Sequence, residues 1–129
     1  WVVVPGSEAS GANGVELSDD GETIYVAAWG SQSLFTLSRG SDAPEREEID
    51  LGFRIDNIHW AEDGRLISAG QVGQDWRVVL IDPDTLEVEE IYRQDDMPGF
   101  GGGTVALEVG DELWVGSYRG DRIAIIPNP

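Results

Sequence analysis

Apolar residues in this chain fall into short runs, each closed by a glycine or an aspartate-glycine turn, and the arrangement recurs three times. Each copy opens on a polar position, continues through an apolar run, turns, and enters a second apolar run. The first is Asn13-Gly14-Val15-Glu16-Leu17-Ser18-Asp19-Asp20-Gly21 followed by Thr23-Ile24-Tyr25-Val26-Ala27-Ala28-Trp29. The second is Asp56-Asn57-Ile58-His59-Trp60-Ala61-Glu62-Asp63-Gly64 followed by Leu66-Ile67-Ser68-Ala69-Gly70. The third is Thr104-Val105-Ala106-Leu107-Glu108-Val109-Gly110 followed by Leu113-Trp114-Val115-Gly116. Turn glycines Gly21, Gly64 and Gly110 are spaced by 43 and 46 residues, a period within the range for one propeller blade.

β-branched and aromatic residues dominate these runs, and no stretch shows helical periodicity, so the chain is all-β. Within each repeat the pattern predicts an inner strand, a hairpin and a second strand, then a third strand at Ser33–Ser38, Trp76–Ile81 and Arg122–Ile126. A charged fourth strand fits Glu45–Leu51 and Leu86–Tyr92, the latter entered through Asp82-Pro83-Asp84-Thr85, where proline presets φ for a turn. Inner runs are nearly continuous in apolar residues because a blade is covered on both faces. The outer strands alternate with charge, as at Glu87-Val88-Glu89-Glu90-Ile91.

The predicted architecture is a β-propeller with three four-stranded blades per chain. The whole of residues 1–129 reads as a half-propeller, with blades at 12–52, 55–93 and 103–127. The last blade lacks its outer strand, while residues 1–5 at the other end form a strand without a partner. Three blades in isolation expose two apolar faces, more than a soluble monomer usually tolerates. Two chains that exchange Trp1–Val4 would close a six-bladed ring with twofold symmetry and no free edge. The expected partner is therefore a second copy, in a homodimer, unless a different polypeptide supplies the other half.

Charge narrows the partners further. The 129 residues include 25 acidic and 8 basic side chains, for a net charge of −17, and every basic one is arginine. Such a field repels nucleic acid and anionic membrane surfaces, and no apolar run approaches the roughly 20 residues of a membrane span. With no cysteine, disulfides, thiolate metal sites and cysteine nucleophiles are excluded. Beginning on Trp1-Val2-Val3-Val4 without methionine is what part of a longer protein would show. The compartment is not readable from these residues.

In a propeller the innermost strands line the central channel, so the polar residues that open them point toward the axis. These are Asn13, the Asp56-Asn57 pair and Thr104. Amide carbonyls and carboxylates are hard oxygen donors, which suit Ca2+ better than zinc or copper. An ordinary turn at Asn13-Gly14 and a capped loop carboxylate at Asp56 are the competing readings, and recurrence at one phase of adjacent repeats favours the channel.

The segment Ala12-Asn13-Gly14-Val15-Glu16-Leu17-Ser18-Asp19-Asp20-Gly21 with Ile24-Tyr25-Val26-Ala27 resembles the motif of paraoxonases, gluconolactonases and strictosidine-synthase-like proteins. Asp56-Asn57-Ile58 ahead of Glu62-Asp63-Gly64-Arg65-Leu66 is similar to the next blade of that family. Thr104-Val105-Ala106 with Leu113-Trp114-Val115-Gly116 is similar to its final blade. The resemblance spans nearly the whole chain and corresponds to the C-terminal half of a six-bladed member. It implies calcium in the central tunnel, held by Asn13, Asp56 and Asn57, and hydrolysis of lactones or aryl esters. A bound cation there would polarise the ester carbonyl and lower the pKa of a bound water. The family's N-terminal half brings a metal-binding glutamate and, in paraoxonases, catalytic histidines; none has a counterpart in these residues.

Asp56 is the candidate metal ligand and proton acceptor. His59, the lone histidine, lies two residues beyond Asn57, on the same side by alternation; it is a candidate base, with packing between blades as the alternative. Gly99-Phe100-Gly101-Gly102-Gly103-Thr104 lacks the lysine and helix of a phosphate cradle and reads as a blade-to-blade loop. Trp29, Trp76 and Trp114 fall near strand ends at related repeat positions. Together these features point to a calcium-binding half-propeller of lactonase or arylesterase type. The alternatives are a non-catalytic propeller fragment or engineered assembly unit, and a scaffold that binds through its rim.

Overall fold

A computed structural model describes residues 1–95 and 98–129. Eleven strands form three antiparallel sheets, and the described residues contain no helix. The first sheet runs in order from β1 (Ala12–Leu17) through β2 (Thr23–Ala28) and β3 (Ser33–Ser38) to β4 (Arg46–Asp50). The second runs likewise through β5 (Arg54–Trp60), β6 (Leu66–Val72), β7 (Asp75–Ile81) and β8 (Val88–Gln94). In the third, β10 (Glu112–Ser117) lies between β9 (Gly103–Val109) and β11 (Ala124–Pro127). Here the last strand begins two residues later than the sequence pattern predicts. Residues 1–4 join no strand of this chain, and β11 has no further strand beside it among the described residues.

The turns follow from side-chain chemistry. At the first hairpin Asp20 accepts from the Ser18 hydroxyl (2.7 Å) and the Glu22 amide (3.0 Å), and Gly21 takes a φ of 76° that a branched residue would resist. Asp63 accepts from the Arg65 amide (3.0 Å), and Asp82 from the amides of Asp84 (2.9 Å) and Thr85 (2.8 Å). Hydrogen bonds to the charged form hold all three carboxyls below their usual range.

The second sheet is buried on both sides, which explains the apolar runs of β6 and β7. One side packs Ile55, Ile58, Leu66 and Val79 against Tyr25, Ala27 and Leu34 of the first sheet. The other packs Ile67, Ala69, Trp76 and Val78 against Ala106, Leu113 and Val115 of the third. Each large side chain buried this way stabilises the fold by about 1.5–3 kcal/mol. The links between sheets fill the gaps: Phe53 enters the first core and Phe100 the second, both at most 2% exposed.

Residues 6–11 play the corresponding part on the outer side of the first sheet. Ala9 packs there with Val26, Ala28, Phe35 and Leu37. Arg46 stacks on Phe35 with its guanidinium carbon 3.8 Å from the ring centre, and donates to the carbonyls of Gly6 (2.7 Å) and Glu8 (3.1 Å). Trp1–Val4 lie beyond this clasp and are exposed. On the far side of the molecule Leu107, Val109, Trp114 and Ile125 are also exposed on the third sheet.

Candidate functional site

A one-residue bulge recurs at the start of the innermost strand of each sheet. Ala12 pairs with Ala28 and Val15 with Val26, so Asn13 and Gly14 together oppose Ala27. Ile55 pairs with Gly70 and Ile58 with Ser68, so Asp56 and Asn57 together oppose Ala69. In the third sheet Gly103 pairs with Ser117 and Val105 with Gly116, which leaves Thr104 as the extra residue. A bulge re-aims side chains that strict alternation would send to opposite faces. Consequently Asp56 and Asn57, adjacent in sequence, both open onto one cavity of about 490 Å³, together with Asn13 and Thr104.

Asp56 is the focus. It is 8% exposed and is the one buried carboxylate among the described residues. Its Oδ1 accepts from Asn13 Nδ2 at 2.6 Å and from Asn57 Nδ2 at 3.3 Å, while its Oδ2 accepts a long bond of 3.5 Å from Gln71 Nε2. Burial pushes the carboxyl above its ordinary value of 3.8, and the bonds from Gln71 and Asn13 pull it part of the way back.

The site joins all three sheets. Asn57 Nδ2 also donates to the Thr104 carbonyl at 3.1 Å, and Gln71 Nε2 to the Gly103 carbonyl at 2.5 Å. Gln71 Oε1 in turn accepts from Trp29 Nε1 at 2.9 Å. Gly14 permits the close approach of the first two sheets: a Cβ there would overlap the Asp56 carbonyl oxygen and stand 2.9 Å from the Ile58 nitrogen. Among the described residues, four of the five buried polar ones, Asp56, Ser68, Gln71 and Thr104, belong to this region.

Gln71 was not singled out by the sequence pattern. Its signal is a lone amide between Gly70 and Val72 at the end of an otherwise apolar run. Trp29, Gln71 and Tyr118 each follow directly on the residue paired across the inner-strand opening, namely Ala28, Gly70 and Ser117. The tryptophans do not share such a position. Trp29 lines the cavity, Trp76 is buried inside the second core, and Trp114 stands on the exposed side of the third sheet, donating to Glu112 at 2.9 Å. Sequence spacing aligned them because a bulge and loops of unequal length shift the register between repeats.

His59 does not line the cavity. It pairs across the sheet with Ile67, on the side that packs toward the third sheet. Asn57 faces the same side, two residues or about 7 Å farther up the strand. The glycine-rich run forms the link into β9, where Gly101 and Gly102 adopt φ of 81° and 96° and Phe100 is buried.

The donor set is one carboxylate and two carboxamides. Each asparagine directs its NH2 to Asp56, and neither amide oxygen accepts a hydrogen bond among the described residues. Those oxygens and Asp56 Oδ2 fit a hard cation in kind, although calcium takes six to eight oxygens. No group of three or more histidine, cysteine, aspartate or glutamate residues comes together among the described residues.

No protein-family model and no curated protein matches the sequence. Solved structures do match. A 6-phosphogluconolactonase-like protein from Bacteroides uniformis aligns with 94% of this chain and 37% of its own at 16% identity, with a TM-score of 0.63. A catalytically inactive virginiamycin B lyase from Staphylococcus aureus, with quinupristin, aligns with 95% of this chain and 40% of its own at 15% identity and a TM-score of 0.67. The periplasmic gluconolactonase of Pseudomonas aeruginosa aligns with 98% of this chain and 45% of its own at 18% identity and a TM-score of 0.53. The chain thus spans about two fifths of the length of these structures, and at such identities the likeness is one of fold. Eleven strands in three antiparallel sheets, matched to these neighbours, make this an all-β protein of propeller-like fold.

Proposed function

We propose that the cavity over Asp56 is a calcium site for the hydrolysis of lactones or related esters, in a ring of the paraoxonase, gluconolactonase and strictosidine-synthase-like type. The observation that carries this reading is the buried carboxylate flanked by Asn13 and Asn57, each delivered by a bulge of its own sheet. Lactonases among the fold neighbours support it.

In this reading Asn13, Asp56 and Asn57 hold the cation through side-chain oxygens. A calcium ion bound there supplies Lewis acidity at the substrate carbonyl. Asp56, the one carboxylate in the cavity wall, is the proton acceptor. It takes a proton from the attacking water, whose oxygen bonds to the carbonyl carbon. The ring C–O bond then breaks, and the proton passes to the departing alkoxide to give a hydroxy acid. His59, outside the cavity wall, acts only if a larger assembly brings substrate to it.

Three side-chain oxygens fill at most half of a calcium shell, so the closed ring completes the site. The three sheets are three blades, and a second copy supplies the other three in a six-bladed homodimer. Trp1–Val4, exposed beyond the clasp of residues 6–11, pair along β11 of the partner as its missing outer strand. Light scattering tests this, since a stable monomer at micromolar concentration contradicts it.

The chemistry is tested with a panel of lactones and aryl esters assayed with calcium and with chelator. Calcium-dependent turnover lost in Asp56→Asn supports the reading; turnover that survives the substitution overturns it. The single carboxylate of the site favours one second reading, a non-catalytic propeller unit whose metal is structural. Calcium binding with no turnover on any substrate would support it.

A further inference from the structure

The innermost strands β1, β5 and β9 each lie at one edge of their sheet and pack side by side. Their bulges bring Asn13, Asp56, Asn57 and Thr104 to a single cavity. In a closed ring that cavity faces the axis, and one chain walls it from one side.

A single chain falls short of a divalent site in both number and charge. Asn13, Asp56 and Asn57 offer three side-chain oxygens, where calcium takes six to eight. Asp56 is the one carboxylate in the cavity wall, so a dication held by one copy would keep an uncompensated positive charge. A twofold axis doubles both quantities, to six oxygens and to two carboxylates that neutralise the ion.

The surfaces that a second copy would cover are apolar. On the first sheet Val15 and Leu17 pair with Val26 and Ile24, on the face that looks away from the second sheet, and both are exposed. On the third sheet Trp114 pairs with Leu107 and Ile125, a cross-strand row of three exposed side chains. These rows belong to different sheets, so the contact between copies runs head to tail, and a ring of two uses it twice. Closure without an ion is opposed by charge: it brings two buried carboxylates toward one another and joins chains of net charge −17 each.

We infer that one divalent cation is shared by two copies of this chain, with three oxygens from each, and that its binding drives closure of the ring. The inference rests on the six-bladed ring proposed above; it adds the stoichiometry of one ion per two chains and makes assembly depend on the ion. Since neither copy holds the ion alone, the dimer association constant rises in proportion to free calcium once calcium exceeds its dissociation constant. An ion held wholly within each chain would leave that constant unchanged.

Sedimentation equilibrium of the full chain in chelator, in a calcium series and in potassium chloride of matched ionic strength tests this. Tenfold more free calcium is expected to tighten the dimer about tenfold, and potassium chloride is not. Calorimetric titration with calcium is expected to saturate at one ion per two chains. Leu107→Glu and Ile125→Glu each place a charge at an exposed position of the interface row; each is expected to stay folded and monomeric and to bind no calcium. Asp56→Asn is expected to dimerise without any response to calcium. Saturation at one ion per chain, calcium binding by either monomeric variant, a calcium response that survives in Asp56→Asn, or equal tightening by potassium chloride overturns the inference. The ring and the shared ion fail separately: a dimer equally stable in calcium and in chelator keeps the ring and overturns the sharing, whereas a monomer under every condition overturns both.

Discussion

Asn13 and Asp56 lie 43 positions apart and meet at 2.6 Å, amide nitrogen to carboxylate oxygen, across the seam between the first two sheets. Both residues occupy bulges at the same place in their sheets. The contact therefore depends on a repeated irregularity of the backbone, and it favours the ionised form of the one buried carboxylate among the described residues, against the larger effect of burial.

Replacing Asn13 by alanine removes the shorter of the bonds that favour ionised Asp56. The Asp56 pKa is expected to rise further, and stability at neutral pH to fall by about 1.5–3 kcal/mol, the range for a hydrogen bond to a charged group. Carboxyl carbon titration by NMR measures the first, and urea unfolding the second.

The pH dependence has a definite sign. The Asp56 pKa is raised on folding, so the folded chain holds that proton more tightly than the unfolded chain does. Its contribution to stability is complete below the ordinary value of 3.8 and is lost as pH rises through the raised folded value. In chelator, Asp56→Asn is expected to gain stability over the parent as pH increases from 4 to 7, with the difference vanishing below 3.8. Urea unfolding at a series of pH values checks this, and a difference independent of pH would refute it.

Gly14→Ala tests the approach of the sheets. The added methyl meets backbone atoms of Asp56 and Ile58, which cannot swing aside. The expected cost is about 1–3 kcal/mol, typical of overpacking, with chemical-shift changes concentrated in β1 and β5. Gly64→Ala serves as a comparison, because nothing lies within 4 Å of its position and only its φ of 86° opposes the substitution.

Arg46 fastens residues 6–11 by two carbonyl contacts and the Phe35 ring. Arg46→Ala is expected to cost about 1–3 kcal/mol through its unpaired partners. Amide exchange should accelerate at residues 7–10 well before it does in β2 and β3. Uniform acceleration across the first sheet would show that the clasp is part of the core.

Strand placement was legible in the sequence because apolar runs, Asp-Gly turns and alternating outer strands each report local physics. The convergence of Asn13, Asp56 and Asn57 followed from their phase in the repeat. The bulges that allow adjacent Asp56 and Asn57 to share a cavity were not legible, since a bulge changes pairing without demanding a particular residue. Gln71 was hidden for a similar reason: one amide at the end of β6 acquires its role only when Trp29, Asp56 and Gly103 arrive from other parts of the chain.

The most direct test of the central claim is melting temperature with calcium and with chelator, in the parent chain and in Asp56→Asn. A cation held by Asn13, Asp56 and Asn57 binds only the folded chain. At one hundred times its dissociation constant it should add about 2.7 kcal/mol, a rise of several degrees. That rise is expected in the parent and is expected to be lost in Asp56→Asn. No shift in the parent, or an equal shift in both, would contradict it.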